Sequence, residues 1–182
     1  LKADVFQDRI FVLTPRGDVR DLPIDATPVD FAYAVHTDIG NHCAGAKVNG
    51  AIAHLDSSLK SGEVVEIITR KNARPSQHWL SFVKTTHARN RIRAWFRGLN
   101  EDKHLREGKD LLNQKLAQFG MPVLDSALSI SRRYDGHLTL KQREDLLREI
   151  GKGAVLPSIV LRRLFTQEEL LAGSLSAEQV GS

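Results

Sequence analysis

Through the first third of the chain the apolar positions recur with a period near two, and after residue 77 the period becomes helical. Residues 9 to 14, RIFVLT, are β-branched and aromatic, PRGD follows with turn residues, and VRDLP (19–23) alternates apolar with polar, which predicts a hairpin. A short helix follows with an explicit start. Thr27 is its cap, Pro28 fits the first helical position, and Asp30 stands in capping-box relation to Thr27. Val29, Phe31, Ala32, Val35 and Ala34 supply its apolar face. Asn49-Gly50 suits a tight hairpin turn, and SGEVVEIIT (61–69) reads as a turn and a strand that returns to the sheet centre. The order ββαββ predicts an α+β fold, a ubiquitin-like β-grasp domain over residues 9–70 behind a linker at 1–8.

RKNARPSQ (70–77) is polar and contains proline, so a domain boundary is expected at 71–77, with a small all-α domain over 78–166 beyond it. Ser76 is expected to cap a long helix carrying Trp79, Leu80, Val83, Ile92, Trp95, Phe96 and Leu99, the last four at i, i+3, i+4, i+7 spacing. Further helices are expected at 101–119, 124–134, 139–150 and 156–165. Residues 167–182 read as a C-terminal helix or a frayed tail, patternless from 174 onward.

Composition narrows the setting. The 182 residues carry a net charge of +4 and a single cysteine, and no apolar run approaches the roughly 18 residues of a membrane span. No secretory signal pattern opens the sequence. These features predict a soluble, cytoplasmic protein without membrane contact. The charge is uneven: Arg70 to Arg97 holds eight Lys or Arg and no Asp or Glu, which leaves about −4 over the rest. Such a local basic field is the usual footprint of a polyanionic partner, and plain solvated helices show it as well. Arg89, Arg93 and Arg97 repeat every fourth residue as a stripe, equally readable as phosphate contacts or as a solvated face. For Trp79, Trp95 and Phe96 the helical spacing favours core packing over base stacking.

The densest candidate chemistry lies in TPVDFAYAVHTDIGNHCAGAKVNG (27–50). Gly40 and Gly45 have phosphate-loop spacing, but Ala46 intrudes before Lys47, Val48 replaces the hydroxyl, and a strand follows where a helix is needed. His36, His42, Cys43 and His54 form no paired metal-ligand unit. A nucleophilic Cys43 requires a base that the sequence does not show, and a small buried cysteine is the commoner case. His36 remains, at the end of the capped helix, readable either as a charge at a helix C-terminus or as an exposed recognition imidazole.

This stretch, the VEIIT strand, the linker N-A-x-P-S-x-x-W-L (72–80) and the W-F-R helix (95–97) occur together in order, and so the chain closely resembles the TGS domain and following helical domain of RelA/SpoT homologues. TGS domains of threonyl-tRNA synthetases and some GTPases lack this linker and the W-F-R helix. The resemblance implies a regulatory piece of a stringent-response enzyme that makes or hydrolyses (p)ppGpp, a GTP pyrophosphokinase, a ppGpp pyrophosphohydrolase or both. Direct passage from Leu80 into the V-K-T region points to a bifunctional Rel or SpoT-type parent. Catalysis, with Mg or Mn and ATP plus GTP or ppGpp, would belong to upstream domains, and this segment is expected to hold no catalytic residue, metal or cofactor. The resemblance further implies that His36, Thr37, Asp38 and Lys47 meet the 3′ CCA end of uncharged tRNA on the ribosome. Arg70, Lys84, Arg89, Arg93 and Arg97 would then meet phosphates. SpoT-like members instead bind acyl carrier protein, an acidic partner that a basic surface also suits.

Overall fold

The computed structural model describes residues 8–180, with side chains described through residue 173. All but one residue of the expected N-terminal linker, and residues 181–182 of the expected tail, lie outside that range. The chain divides into two compact units, residues 1–97 and 98–182.

In the first unit β1 (Arg9–Leu13) and β2 (Val19–Pro23) form the antiparallel hairpin. Helix α1 (Pro28–Val35) begins at Thr27 with the capping box in place: Asp30 N–H donates to Thr27 Oγ1 at 3.4 Å and Thr27 N–H to Asp30 Oδ2 at 2.9 Å. A one-turn helix α2 (Thr37–Asn41) follows directly. Strand β3 (Cys43–Val48) then pairs antiparallel with β4 (Ala51–Ala53) on one side and β5 (Val65–Thr69) on the other. The β3–β4 turn uses Asn49 at φ 51° and Gly50 at φ 82°, two consecutive positive φ values that fit a type I′ turn. The Asn49 side chain also accepts the Val64 N–H at 2.9 Å, fixing the approach of β5. A parallel bridge from Leu13 to Val64 sets the start of β5 beside the end of β1, so β5 joins the two hairpins in the β-grasp manner.

Helix α1 is buried on two sides. Phe31 packs with Ile10, Val12, Leu22, Ala26, Leu59 and Val65. Val29, Ala32 and Tyr33 pack instead with Cys43, Trp79, Val83, Ala88 and Ile92. The second cluster explains why the units divide after Arg97 and not at residues 71–77: segment 77–97 covers α1 and completes the core of the first unit.

The long helix also differs from expectation. Ser76 caps only a 3-10 helix (Gln77–Ser81), accepting the His78 N–H at 3.2 Å, and α3 (Thr86–Gln118) starts later. The break is chemical. The N–H groups of Lys84 and Thr85 donate to the Asp30 carboxylate at 3.0 Å and 2.9 Å, while Thr85 Oγ1 accepts from Ala88 N–H at 3.1 Å as the cap of α3. Helix α3 then runs unbroken where two helices were expected, because no proline lies between residues 99 and 118 and Gly98 and Gly108 are tolerated.

Within the second unit, the latter part of α3 packs with α4 (Leu140–Gly151) and α5 (Pro157–Leu164) around Leu112, Leu116, Leu147, Ile150, Val160 and Leu161. Helix α4 begins with a capping box of Thr139 and Gln142. A Cβ at Gly108 would overlap the Leu147 carbonyl, and one at Gly151 the His104 carbonyl, so these two glycines let α3 and α4 cross backbone to backbone. The helix expected at 124–134 is only a 3-10 helix (Ser129–Arg133). Asp125 accepts the Ser129 N–H at 2.8 Å, and the buried Leu128 at φ 50° stops helix propagation. Helix α6 (Gln167–Val180) extends through most of the tail read as patternless. Its start carries another capping box, Thr166 with Glu169, and Arg133 donates to Glu169 at 2.7 Å, which together hold that carboxyl below its usual range.

Candidate functional site

His36 is the hinge between two helices. Its N–H closes α1 on the Ala32 carbonyl at 3.2 Å, and its Nδ1 accepts the Asp38 N–H at 3.0 Å as the cap of α2. Accepting that bond requires Nδ1 to carry no proton, so the ring proton sits on Nε2. The side chain is 65% exposed, so both helix ends orient an imidazole that solvent reaches. Asp38 is exposed beside it and Thr37 is half-buried.

The other expected contacts separate into groups. Lys47 is paired across β3 with Ile52 and Glu66, on the sheet face opposite to that of the core residues Ala46 and Val48, and among the described residues no hydrogen bond or ion pair joins it to the His36 turn. Arg89 leaves the expected stripe: its guanidinium donates to the carbonyls of Leu80 at 3.4 Å and Val83 at 3.0 Å, closing the turn that precedes α3. Arg93 and Arg97 are exposed on α3, and Lys84 is exposed just ahead of it. Arg70 is exposed at the end of β5, where its N–H donates to the His42 carbonyl at 3.0 Å.

That last bond brings the 70–74 turn against the end of α2. A cavity of about 210 Å³ opens between Asp38, Ile39, His42, Thr69, Arg70 and Lys71. A second, of about 300 Å³, is lined by Asn41, His42, Lys71, Asn72, Ala73, Arg74 and Trp95. The two share His42 and Lys71. His42, which belongs to no metal-ligand pair in the sequence, has its Nδ1 at 2.9 Å from the Asp38 carbonyl and lines both. Trp95, read as core, is half-exposed. Lys71, Asn72 and Arg74 sat in a stretch read as linker; the signal that marks them is the onset of the acid-free basic run at residue 70.

Cys43 is buried, and burial pushes its thiol up to about 11, so it is protonated near neutral pH. Burial likewise raises the Tyr33 phenol far above its usual value, and its hydroxyl donates to Asn41 Oδ1 at 2.9 Å. Among the described residues no group of three or more His, Cys, Asp or Glu gathers as a metal site, and no helix is long and apolar enough to cross a membrane.

Residues 10–69 match the TGS domain. Over 175 residues the chain is 43% identical to the GTP pyrophosphokinase of Myxococcus xanthus, which covers 94% of this chain and 23% of that protein. The chain is a homologue of the RelA/SpoT proteins over most of its length. Relatives in the family carry both activity names. The guanosine-3′,5′-bis(diphosphate) 3′-pyrophosphohydrolase of Aquifex aeolicus is 41% identical over 93% of this chain and 24% of its own length. The GTP pyrophosphokinase of Escherichia coli K12 is 38% identical over 85% and 21%. The chain thus spans less than a quarter of the length of these RelA/SpoT relatives.

Proposed function

We propose that this chain is the regulatory region of a (p)ppGpp synthetase/hydrolase and that its His36 turn reads the 3′ end of uncharged tRNA on the ribosome. The observation that carries this reading is the imidazole itself, exposed yet held by two helix ends, two positions before Asp38, which lines a cavity with a cationic wall of Arg70 and Lys71. With Nδ1 committed to Asp38 N–H, the outward group is Nε2–H, a donor suited to a ribose hydroxyl or a phosphate oxygen. An amino acid esterified to the terminal ribose adds bulk and removes that hydroxyl, so charged tRNA fits poorly. Occupancy is passed to catalytic domains elsewhere in the protein, where the metal-dependent chemistry resides.

The test is alarmone synthesis by the full-length protein, with and without ribosomes and deacylated tRNA. Wild type is expected to be activated by deacylated but not by aminoacylated tRNA, and His36→Ala to lose most of that activation while basal synthesis stays. Intact activation in His36→Ala overturns the reading. The same cationic wall would also suit an acidic protein; retention of acyl carrier protein in a pull-down, without any tRNA dependence, would move the assignment to that partner.

A further inference from the structure

The larger cavity, lined by Asn41, His42, Lys71, Asn72, Arg74 and Trp95, has no acidic side chain in its wall. Its contents are of three kinds. Trp95 lines it with a flat aromatic surface, half-exposed and set edge-to-face against Phe96 at 4.9 Å and 84°, which holds the indole at a fixed angle. Asn72 carries an amide that both donates and accepts, and Asn41, whose Oδ1 takes the Tyr33 hydroxyl, adds an amide NH2 donor. Lys71 and Arg74 bring positive charge to the same space.

We infer that this groove binds a nucleotide unit, its base stacked on the Trp95 indole, its phosphate against Lys71 and Arg74, and its base edge within reach of the Asn41 and Asn72 amides. A small anion would have no use for the indole, and an apolar side chain would leave the Asn72 amide and the cations without partners. Base stacking on an aromatic side chain is worth enough that its loss lowers affinity by about tenfold or more. The volume of about 300 Å³ lies at the small end of ligand pockets and suits one nucleotide better than a run of them. The surrounding segment supplies the long-range field: residues 70–97 carry eight basic side chains and no acid. Because the cavity meets the smaller one at His42 and Lys71, a strand lying along both would place one nucleotide on Trp95 and continue toward Asp38. The inference rests on the polyanion reading of this surface, but not on the role of His36.

Fluorescence anisotropy of a labelled single-stranded RNA dodecamer with the whole chain tests it, alongside the same dodecamer made without bases. Trp95→Leu is expected to weaken RNA binding about tenfold and to leave binding of the baseless strand unchanged, with Trp95→Phe restoring most of the loss. Arg74→Gln should weaken both strands alike. Displacement of the RNA by AMP or GTP would identify free nucleotide as the occupant; displacement only by RNA would identify the polymer. Absence of RNA binding by wild type, or a Trp95→Leu loss that is nil or equal on both strands, overturns the inference. His36→Ala should keep the base-dependent Trp95 effect, so failure of 3′-end reading and failure of this groove give different results.

Discussion

A single hydrogen bond decides what His36 can be. At 3.0 Å from the Asp38 N–H its Nδ1 is an acceptor, and the 3.7 Å separation from the Asp38 carboxylate is then an adjacency and not an ion pair. The shorter, better-defined contact prevails, and it leaves Nε2–H for a partner. Cys43 shows the opposite outcome: a reactive residue type made inert by its surroundings. Its Sγ donates to the Gly45 carbonyl at 3.7 Å and its side chain belongs to the α1 core. Well below pH 9.0, the ordinary value of the thiol, it is protonated in the folded and unfolded chains alike, and burial of the neutral group is fully available to the fold. As pH rises the unfolded thiol ionises first, while the folded one resists until about 11. Stability is therefore expected to fall by about 2–3 kcal/mol between those limits. Urea unfolding at pH 8 and pH 10.5 checks this by difference, because Cys43→Ala should lose that component of the decline. At pH 8, iodoacetamide should label Cys43 only after denaturant is added.

At the scale of elements, Asp30 joins α1 to α3. One carboxylate accepts from the Thr27 N–H and hydroxyl and from the backbone of Lys84 and Thr85 and the Thr85 hydroxyl, at 2.8–3.1 Å. It thus serves the start of one helix as capping-box partner and the start of another as the group that orients its cap. Removing it leaves the buried Thr27 N–H without its partner, at about 1–3 kcal/mol, and frees the partly buried Lys84 and Thr85 N–H groups at a smaller cost each. Asp30→Ala is expected to destabilise the chain by about 3–5 kcal/mol. Thr27→Ala, which removes a hydroxyl from one cap only, is expected to cost about 1 kcal/mol. Urea denaturation of both variants checks the ratio, and amide exchange at Ala88 should accelerate far more in Asp30→Ala. Half of this element was legible in the sequence. Thr27, Pro28 and Asp30 announce α1 because capping chemistry is local. The bonds to Lys84 and Thr85 cross 54 and 55 positions, so no window over the sequence reveals them, and without them Ser76 looks like the start of the long helix. The fused α3 was missed for the reverse reason: the polar run near Asn100 has no apolar periodicity, yet nothing in it terminates a helix.

For the whole molecule, the question is where the first folding unit ends. Composition places the break at 71–77, and the family match stops at residue 69, yet Trp79, Val83, Ala88 and Ile92 are buried against Val29, Ala32, Tyr33 and Cys43. Trp95 and the 70–74 turn share the same dependence, since the groove they line exists only when α3 is folded onto the TGS core. That is why the groove was not legible: its walls come from two segments that sequence reading assigned to different domains. A fragment ending at residue 70 would expose the outer face of α1. Burying each of Trp79, Val83 and Ile92 is worth about 1.5–3 kcal/mol, and their joint loss approaches the whole stability of an ordinary domain, about 5–15 kcal/mol. A fragment of residues 1–97 is therefore expected to unfold cooperatively on heating. One of residues 1–70 should melt at a markedly lower temperature or bind a hydrophobic dye without melting at all. Equal melting temperatures for the two would show that segment 77–97 lies on α1 without stabilising it, and would return the boundary to the linker.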